Sequence, residues 1–263
     1  MIRRLEQAYP YLLLATAMLP LVFFDGLLYP FVAPKTLLLR GFAVISIACF
    51  LYLALSGKAF FFDRLRHSIT WIPGALLIVA YVSSLGGVDF YHSFWSTFDR
   101  GDGLLSLTAV VAFYYLVLLY VDGRFYTQFL TVVSWTGTIA AAYGILQWLS
   151  DTIGMSLPLV AAAHGRIGST LGNAAFLSGY LGITFFVTLV VAWRSDRGWK
   201  KFWYLGSVLQ ICAIFITATR GTIVALAIAT CATLVYGAIA FEGRLRTYAR
   251  TAVAALVIVT CLF

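Results

Sequence analysis

Five basic residues, Lys35, Arg40, Arg100, Arg166 and Arg220, fall in or beside apolar stretches where a cation does little for a helix. Lys35, Arg100, Arg166 and Arg220 each precede or open such a stretch. A helix N-terminus carries about half a positive charge, so a cation there costs about 0.3–1 kcal/mol at exposed sites. A bound anion reverses that sign, because unpaired backbone N–H groups and a guanidinium fork together make a phosphate site. The chemistry these residues point to is therefore anion binding. For any single arginine, snorkelling to lipid headgroups or pairing with a carboxylate, Asp99 or Asp102 beside Arg100, serves equally well. Repetition at three consecutive breaks, among Gly, Ser, Thr and Asn, favours a ligand. Arg40 sits about one turn inside its stretch, where an ionisable residue is a functional candidate by default, although its stem can reach the interface. It ranks, with Lys35, behind the other three.

The run HGRIGSTLGN, from His164 to Asn173, supplies the most ligand-like backbone. Gly168 allows close approach, Ser169 and Thr170 offer hydroxyls, and Asn173 is placed to cap the following helix. As a phosphate loop it is weak, lacking the GK[ST] ending of a nucleotide-binding loop. Gly221 gives the break at Arg220 similar freedom. His164 is a candidate base, but a lone loop histidine is more often simply solvated. Asp89, Asp99 and Asp102 offer an acid/base pair, against which a solvated loop is the simpler reading. Metal-ligand spacing and a nucleophile triad are both missing from the sequence, so neither a metal nor a cofactor is expected.

The elements that must hold these residues are helices in a bilayer. Hydrophobic residues are 62% and charged residues 11% of the chain, and the mean hydropathy is +0.94; a soluble domain carries about 25% charged residues. Crossing a bilayer takes about 20 apolar residues. Such runs occur at about 10–24, 36–56, 70–85, 104–121, 126–149, 174–193, 202–219 and 221–241, predicting an all-α polytopic bundle of eight spans. The stretch 202–241 would be about 60 Å long as one helix, so it must turn at Arg220-Gly221. A ninth run opens near Thr251 and stops at Phe263, too short to cross, so residues 1–263 read as one membrane domain cut within a longer chain. Arg3 and Arg4 resemble the start of a signal peptide, but without a cleavage site the first segment reads as a retained helix. Trp71, Trp148, Trp193, Trp199 and Trp203 fall near predicted span ends, where indoles prefer to sit. Cys49, Cys212, Cys231 and Cys261 lie inside apolar runs and read as packing residues.

The 18 Lys+Arg against 10 Asp+Glu serve as a topology signal rather than a nucleic-acid footprint. With the N-terminus inside, Arg3, Arg4, Lys58, Arg64, Arg66, Arg124, Arg194, Arg197, Lys200, Lys201, Arg244, Arg246 and Arg250 are cytoplasmic. Only Lys35, Arg40, Arg100, Arg166 and Arg220 remain outside.

Three motifs, STFDRGDGL at 96–104, GRIGSTLGNAAFLSGYL at 165–181 and TATRGTIVAL at 217–226, resemble in sequence and order the O-antigen ligase and polymerase family. On that resemblance, residues 217–263 are the start of the family's shared C-terminal region. The resemblance implies a metal-free, multi-span glycosyltransferase of the bacterial inner membrane, serving lipopolysaccharide or other polysaccharide biosynthesis. It would move a glycan from undecaprenyl diphosphate to a glycan, lipid or protein acceptor on the periplasmic face. Carried over by motif, Arg166 and Arg220 contact the donor diphosphate, with Arg100 next and Arg40 and Lys35 behind. Guanidinium groups there would stabilise the charge developing on the leaving diphosphate. Two departures stand out. The family usually has Asn-Pro where this chain has Asn173-Ala174. It also carries a large outer loop, with an acceptor-activating histidine, past the position of Phe263; His164 does not match that histidine.

A flippase for lipid-linked glycans or a small-molecule transporter would also gather arginines near an anionic substrate. Such folds favour internal repeats and ionisable groups near the midplane. No clear repeat is present, and apart from Arg40 the span interiors lack ionisable residues.

Overall fold

The computed structural model describes residues 2–97, 99–154, 165–240, 242, 243, 246, 247, 250 and 251. The ninth apolar run after Thr251, with Cys261, and His164 lie outside the described residues.

Apolar runs bounded by Gly, Pro and Asp become helices throughout, and no strand occurs among the described residues. The longer helices are α1 (Ile2–Thr16), α2 (Ala33–Leu55), α3 (Ile72–Leu85), α5 (Leu104–Tyr120), α6 (Gly123–Ile153), α7 (Ala174–Arg194), α8 (Arg197–Ile216) and α9 (Arg220–Ala240); the short α4 (Phe90–Trp95) precedes α5. Five stretches are long and apolar enough to cross a membrane: α2, Ser68–Leu85, α6, α7 and α9. Helix α5 is equally apolar but shorter. Large apolar side chains such as Leu55, Ile183, Ile228 and Ile239 face outward. That surface is what lipid requires and water penalises.

The first helix departs from expectation. It covers 2–16 rather than 10–24: it runs through Pro10, and Pro20 has no N–H to give the Thr16 carbonyl, so the α-helical ladder does not extend past that point. Thr16 Oγ1 donates to the Leu13 carbonyl at the last turn, and a short 3₁₀ turn, Leu19–Leu21, follows. Helix α6 is longer than its predicted span. At 31 residues it is about 46 Å long, more than the hydrocarbon thickness. Asp122 starts it by accepting from the Phe125 amide at 2.6 Å. The break between the last two helices falls at Thr217–Thr219, with Arg220 as the first residue of α9.

Among the described residues two larger buried clusters hold the bundle, with a smaller one around Trp203. One joins α1, α2, α5 and the start of α6 through Tyr9, Leu13, Ala43, Leu53, Phe113, Leu116 and Phe125. The other joins α6, α7, α8 and α9 through Ala140, Ala141, Leu177, Leu181, Ala213, Ile214 and Leu226. Helices α6, α7 and α8 pack closely because Gly137 faces Thr184, where a Cβ would stand 2.5 Å from Oγ1. Gln210 of α8 is fully buried between them. Its amide donates to Thr138 Oγ1 (3.2 Å) and Thr188 Oγ1 (2.9 Å) and its carbonyl oxygen accepts from Thr184 (2.9 Å). Trp71, Trp148, Trp193 and Trp199 are exposed, while Trp203 is buried against Val191 and Ala192 and is a core residue rather than an interfacial one.

The antiparallel run of helices separates the charges. Lys58, after α2, pairs with Glu6 of α1 at 3.7 Å, Arg64 donates to the Leu118 carbonyl near the end of α5 at 2.7 Å, and Arg194 at the end of α7 lies 5.8 Å from the Tyr126 ring near the start of α6. These belong to one end of the bundle. The N-termini of α2, α5, α7 and α9 belong to the other, and all five singled-out cations go with them.

Candidate functional site

The loop before α7 is built by its neighbours rather than left open. Ser169 is buried, its amide donating to Gln147 Oε1 (2.8 Å) and its hydroxyl to the Ala140 carbonyl (2.6 Å), both on α6. Thr170 donates to the Pro20 carbonyl at 2.8 Å. Gly172 has φ +73° and packs against the Phe31 ring, so both its conformation and its surroundings reject a side chain. Asn173 caps α7, Oδ1 accepting from the Ala175 amide at 2.8 Å, with Ala174 as the first helical residue. Gly168, Ser169, Thr170 and Asn173 thus shape the loop from within.

Arg166 projects from this loop to the turn before α9. Nε donates to the Thr217 carbonyl (2.9 Å) and Nη2 to Thr219 Oγ1 (2.9 Å). Thr219 in turn reaches the Ala174 carbonyl at 3.4 Å, tying the turn to the start of α7. Arg220 follows immediately, exposed and with no hydrogen bond or ion pair among the described residues. Gly221 beside it is exposed, with open space where a Cβ would stand. The Arg166 guanidinium is therefore anchored on Thr219, and the next residue in sequence, Arg220, carries an unbonded one.

Lys35 and Arg40 are occupied otherwise. Lys35 Nζ donates to the Phe31 and Thr170 carbonyls, each at 2.7 Å, fastening α2 to the loop before α7. Arg40 Nε and Nη2 both donate to Ser106 Oγ (3.1 and 2.9 Å), and Ser106 donates to the Gly101 carbonyl at 2.6 Å. Five residues apart on α2, the two cations point about 140° from one another. One braces α7's loop and the other α5's. Lys35 thus gives its ammonium to two protein carbonyls and Arg40 its Nε–Nη2 edge to Ser106, whereas Arg220 has no protein partner among the described residues.

Arg100 lies in an open cleft of about 510 Å³ with His92, Ser96, Thr97, Asp99 and Asp102. It is exposed and has no carboxylate within ion-pair distance among the described residues. Asp102 instead accepts from Ser96 at 2.6 Å. The Thr97 hydroxyl, with help from nearby backbone amides and the Arg100 guanidinium, holds the Asp99 carboxyl below its usual range. It stays ionised at neutral pH and offers no proton there. Asp89 caps α4, accepting from the His92 amide at 3.0 Å. Gly101, at φ +62°, lies against Thr36 of α2, where a Cβ would meet Oγ1 at 2.5 Å.

Among the described residues, the non-glycine residues with positive φ are Ser96 (62°), Ser169 (51°) and Ala218 (52°), one in each of the three motifs. Such backbone costs about 1–2 kcal/mol per residue and gathers where structure is constrained for function.

Comparison with protein-family models, with curated proteins and with solved structures finds no match.

The residues that sequence reasoning missed are the partners: Thr217, Thr219, Gln147 and Ser106. Thr217 and Thr219 stand in a motif already singled out, and only their pairing with Arg166 across the bundle was hidden. Gln147 offered one signal, a lone amide in an apolar run.

Proposed function

We propose that this chain is the donor-binding membrane domain of a glycosyltransferase of the O-antigen ligase type, acting on a glycan carried by undecaprenyl diphosphate. In this reading all eight longer helices cross the bacterial inner membrane, the N-terminus is cytoplasmic, and the arginine-bearing end faces the periplasm. Arg166 and Arg220 grip the diphosphate of the carrier and Arg100 stands at the rim of the site. Lys35 and Arg40 act at one remove, as braces that hold the loops in place.

The observation that carries the reading is the seating of Arg166 on Thr217 and Thr219, which sets the second motif against the third and leaves Arg220 free beside it. A pyrophosphate presents several oxygens, and guanidinium forks from two residues, one seated on the turn and one following it in sequence, suit it. Both donors stand ready where negative charge would grow as the glycosyl bond breaks. The polar cluster buried between the two ends, Gln210 with Thr138, Thr184 and Thr188, is closed on itself. That favours chemistry at one surface over passage.

The test is transfer of labelled glycan from its diphosphate carrier by the full-length protein purified in detergent, where no membrane separates two compartments. Transfer is expected. A protein that neither transfers the glycan nor binds the carrier contradicts the reading.

A further inference from the structure

At the opposite end of the bundle a cleft of about 300 Å³ opens between α6 and the α7–α8 turn. Its walls are Trp135, Trp199 and Trp203, with Arg194, Ser195 and Asp196 at the mouth. The indoles pack edge to face, Trp135 lying 5.1 Å from Trp203 and 6.5 Å from Trp199, so the wall is rigid. Arg194 makes no hydrogen bond and has no carboxylate within ion-pair distance among the described residues; its guanidinium lies only over Tyr126. Arg197, Lys200 and Lys201 follow within two turns. Against these four cations stands one carboxylate, Asp196.

We infer that this cleft is a binding site for the headgroup of an anionic phospholipid from the adjoining leaflet. The phosphate would take the free guanidinium of Arg194, the glycerol backbone would rest on the Trp135–Trp199 wall, and the acyl chains would run along the outward apolar face of α7. Charge complementarity selects this occupant: Arg194 lines the cleft, and residues 194–201 around it carry four cations against one carboxylate, a net charge that attracts an anionic headgroup more than a zwitterionic one. The site is separate from the arginines at the far end and does not depend on what they bind. Indoles and basic residues are common at membrane interfaces in general, and what distinguishes a site from that background is dependence on particular residues.

The full-length protein is released from detergent into a native mass spectrometer after incubation with phosphatidylglycerol or phosphatidylcholine. Selective retention of phosphatidylglycerol is expected, about five-fold weaker in Arg194→Gln and unchanged in Arg3→Gln/Arg4→Gln, which removes charge elsewhere at the same end. Equal retention of both lipids, or equal loss in the two variants, would overturn the site. If Arg194→Gln does not fold, Trp199→Leu carries the test: it leaves every charge in place, weakened retention supports the cleft, and unaltered retention refutes it.

Discussion

Arg166 reaches across 51 positions of chain to donate its Nε to the carbonyl of Thr217 at 2.9 Å. That bond, with the one to Thr219, makes Arg166 part of the architecture as well as a candidate ligand group. Arg220, the residue after Thr219, has no such duty. The two arginines therefore separate in stability measurements. Arg166→Ala is expected to cost about 1 kcal/mol, after allowing for its exposure, and to lower the melting temperature in detergent. Arg220→Ala is expected to leave it unchanged. Equal shifts in both would mean that the seating of Arg166 contributes nothing.

Two glycines in neighbouring helices predict opposite signs. At Gly137 a Cβ meets Thr184 Oγ1 at 2.5 Å, whereas at Gly179 nothing lies within 4 Å. Gly137→Ala must push α6 from α7 and is expected to destabilise by about 1–3 kcal/mol. Gly179→Ala gains helix propensity and is expected to stabilise by up to about 1 kcal/mol. Thermal unfolding of the two purified variants reads the difference directly.

Gln210 sits among hydroxyls that have backbone carbonyls to fall back on: Thr138 donates to Ser134 and Thr188 to Thr184. Gln210→Leu fills the space and is expected to cost about 0.6–1.7 kcal/mol, the range for hydrogen bonds between membrane helices. Gln210→Ala adds a cavity and is expected to cost about 2–3 kcal/mol. Melting temperatures that reverse this order would show that leucine does not fit the space the amide leaves.

Hydropathy alone located the helices, because lipid leaves the backbone one way to satisfy itself and apolar length reports it. It could not bound α1, where Pro20 rather than polarity ends the helix, nor foresee α4, a six-residue turn that Asp89 caps. Charge pattern separated the cations of one end from those of the other. It could not divide Lys35 and Arg40 from Arg220, since whether a cation is satisfied depends on carbonyls and hydroxyls from helices distant in sequence: Thr170 for Lys35 and Ser106 for Arg40. Trp203 shows the same limit. Its position near a helix start suggests an interface, and only packing against Val191 and Ala192 reveals a core residue.

The proposed orientation predicts chemical access. In a cysteine-free background, Asp99→Cys should react with a membrane-impermeant thiol reagent added to intact spheroplasts, and Gly57→Cys should react only after lysis. Both positions are exposed and at opposite ends of the bundle. The reverse pattern would invert the topology and move the arginines to the cytoplasm.

The central claim is that Arg166 and Arg220 hold the diphosphate of a lipid-linked glycan. It is tested most directly by measuring glycan transfer from the labelled carrier with the Arg220→Ala variant, because that substitution is expected to leave the fold intact. The account predicts that the variant inserts and melts like the unmodified protein and loses transfer and carrier binding together. Transfer at the unmodified rate would contradict it.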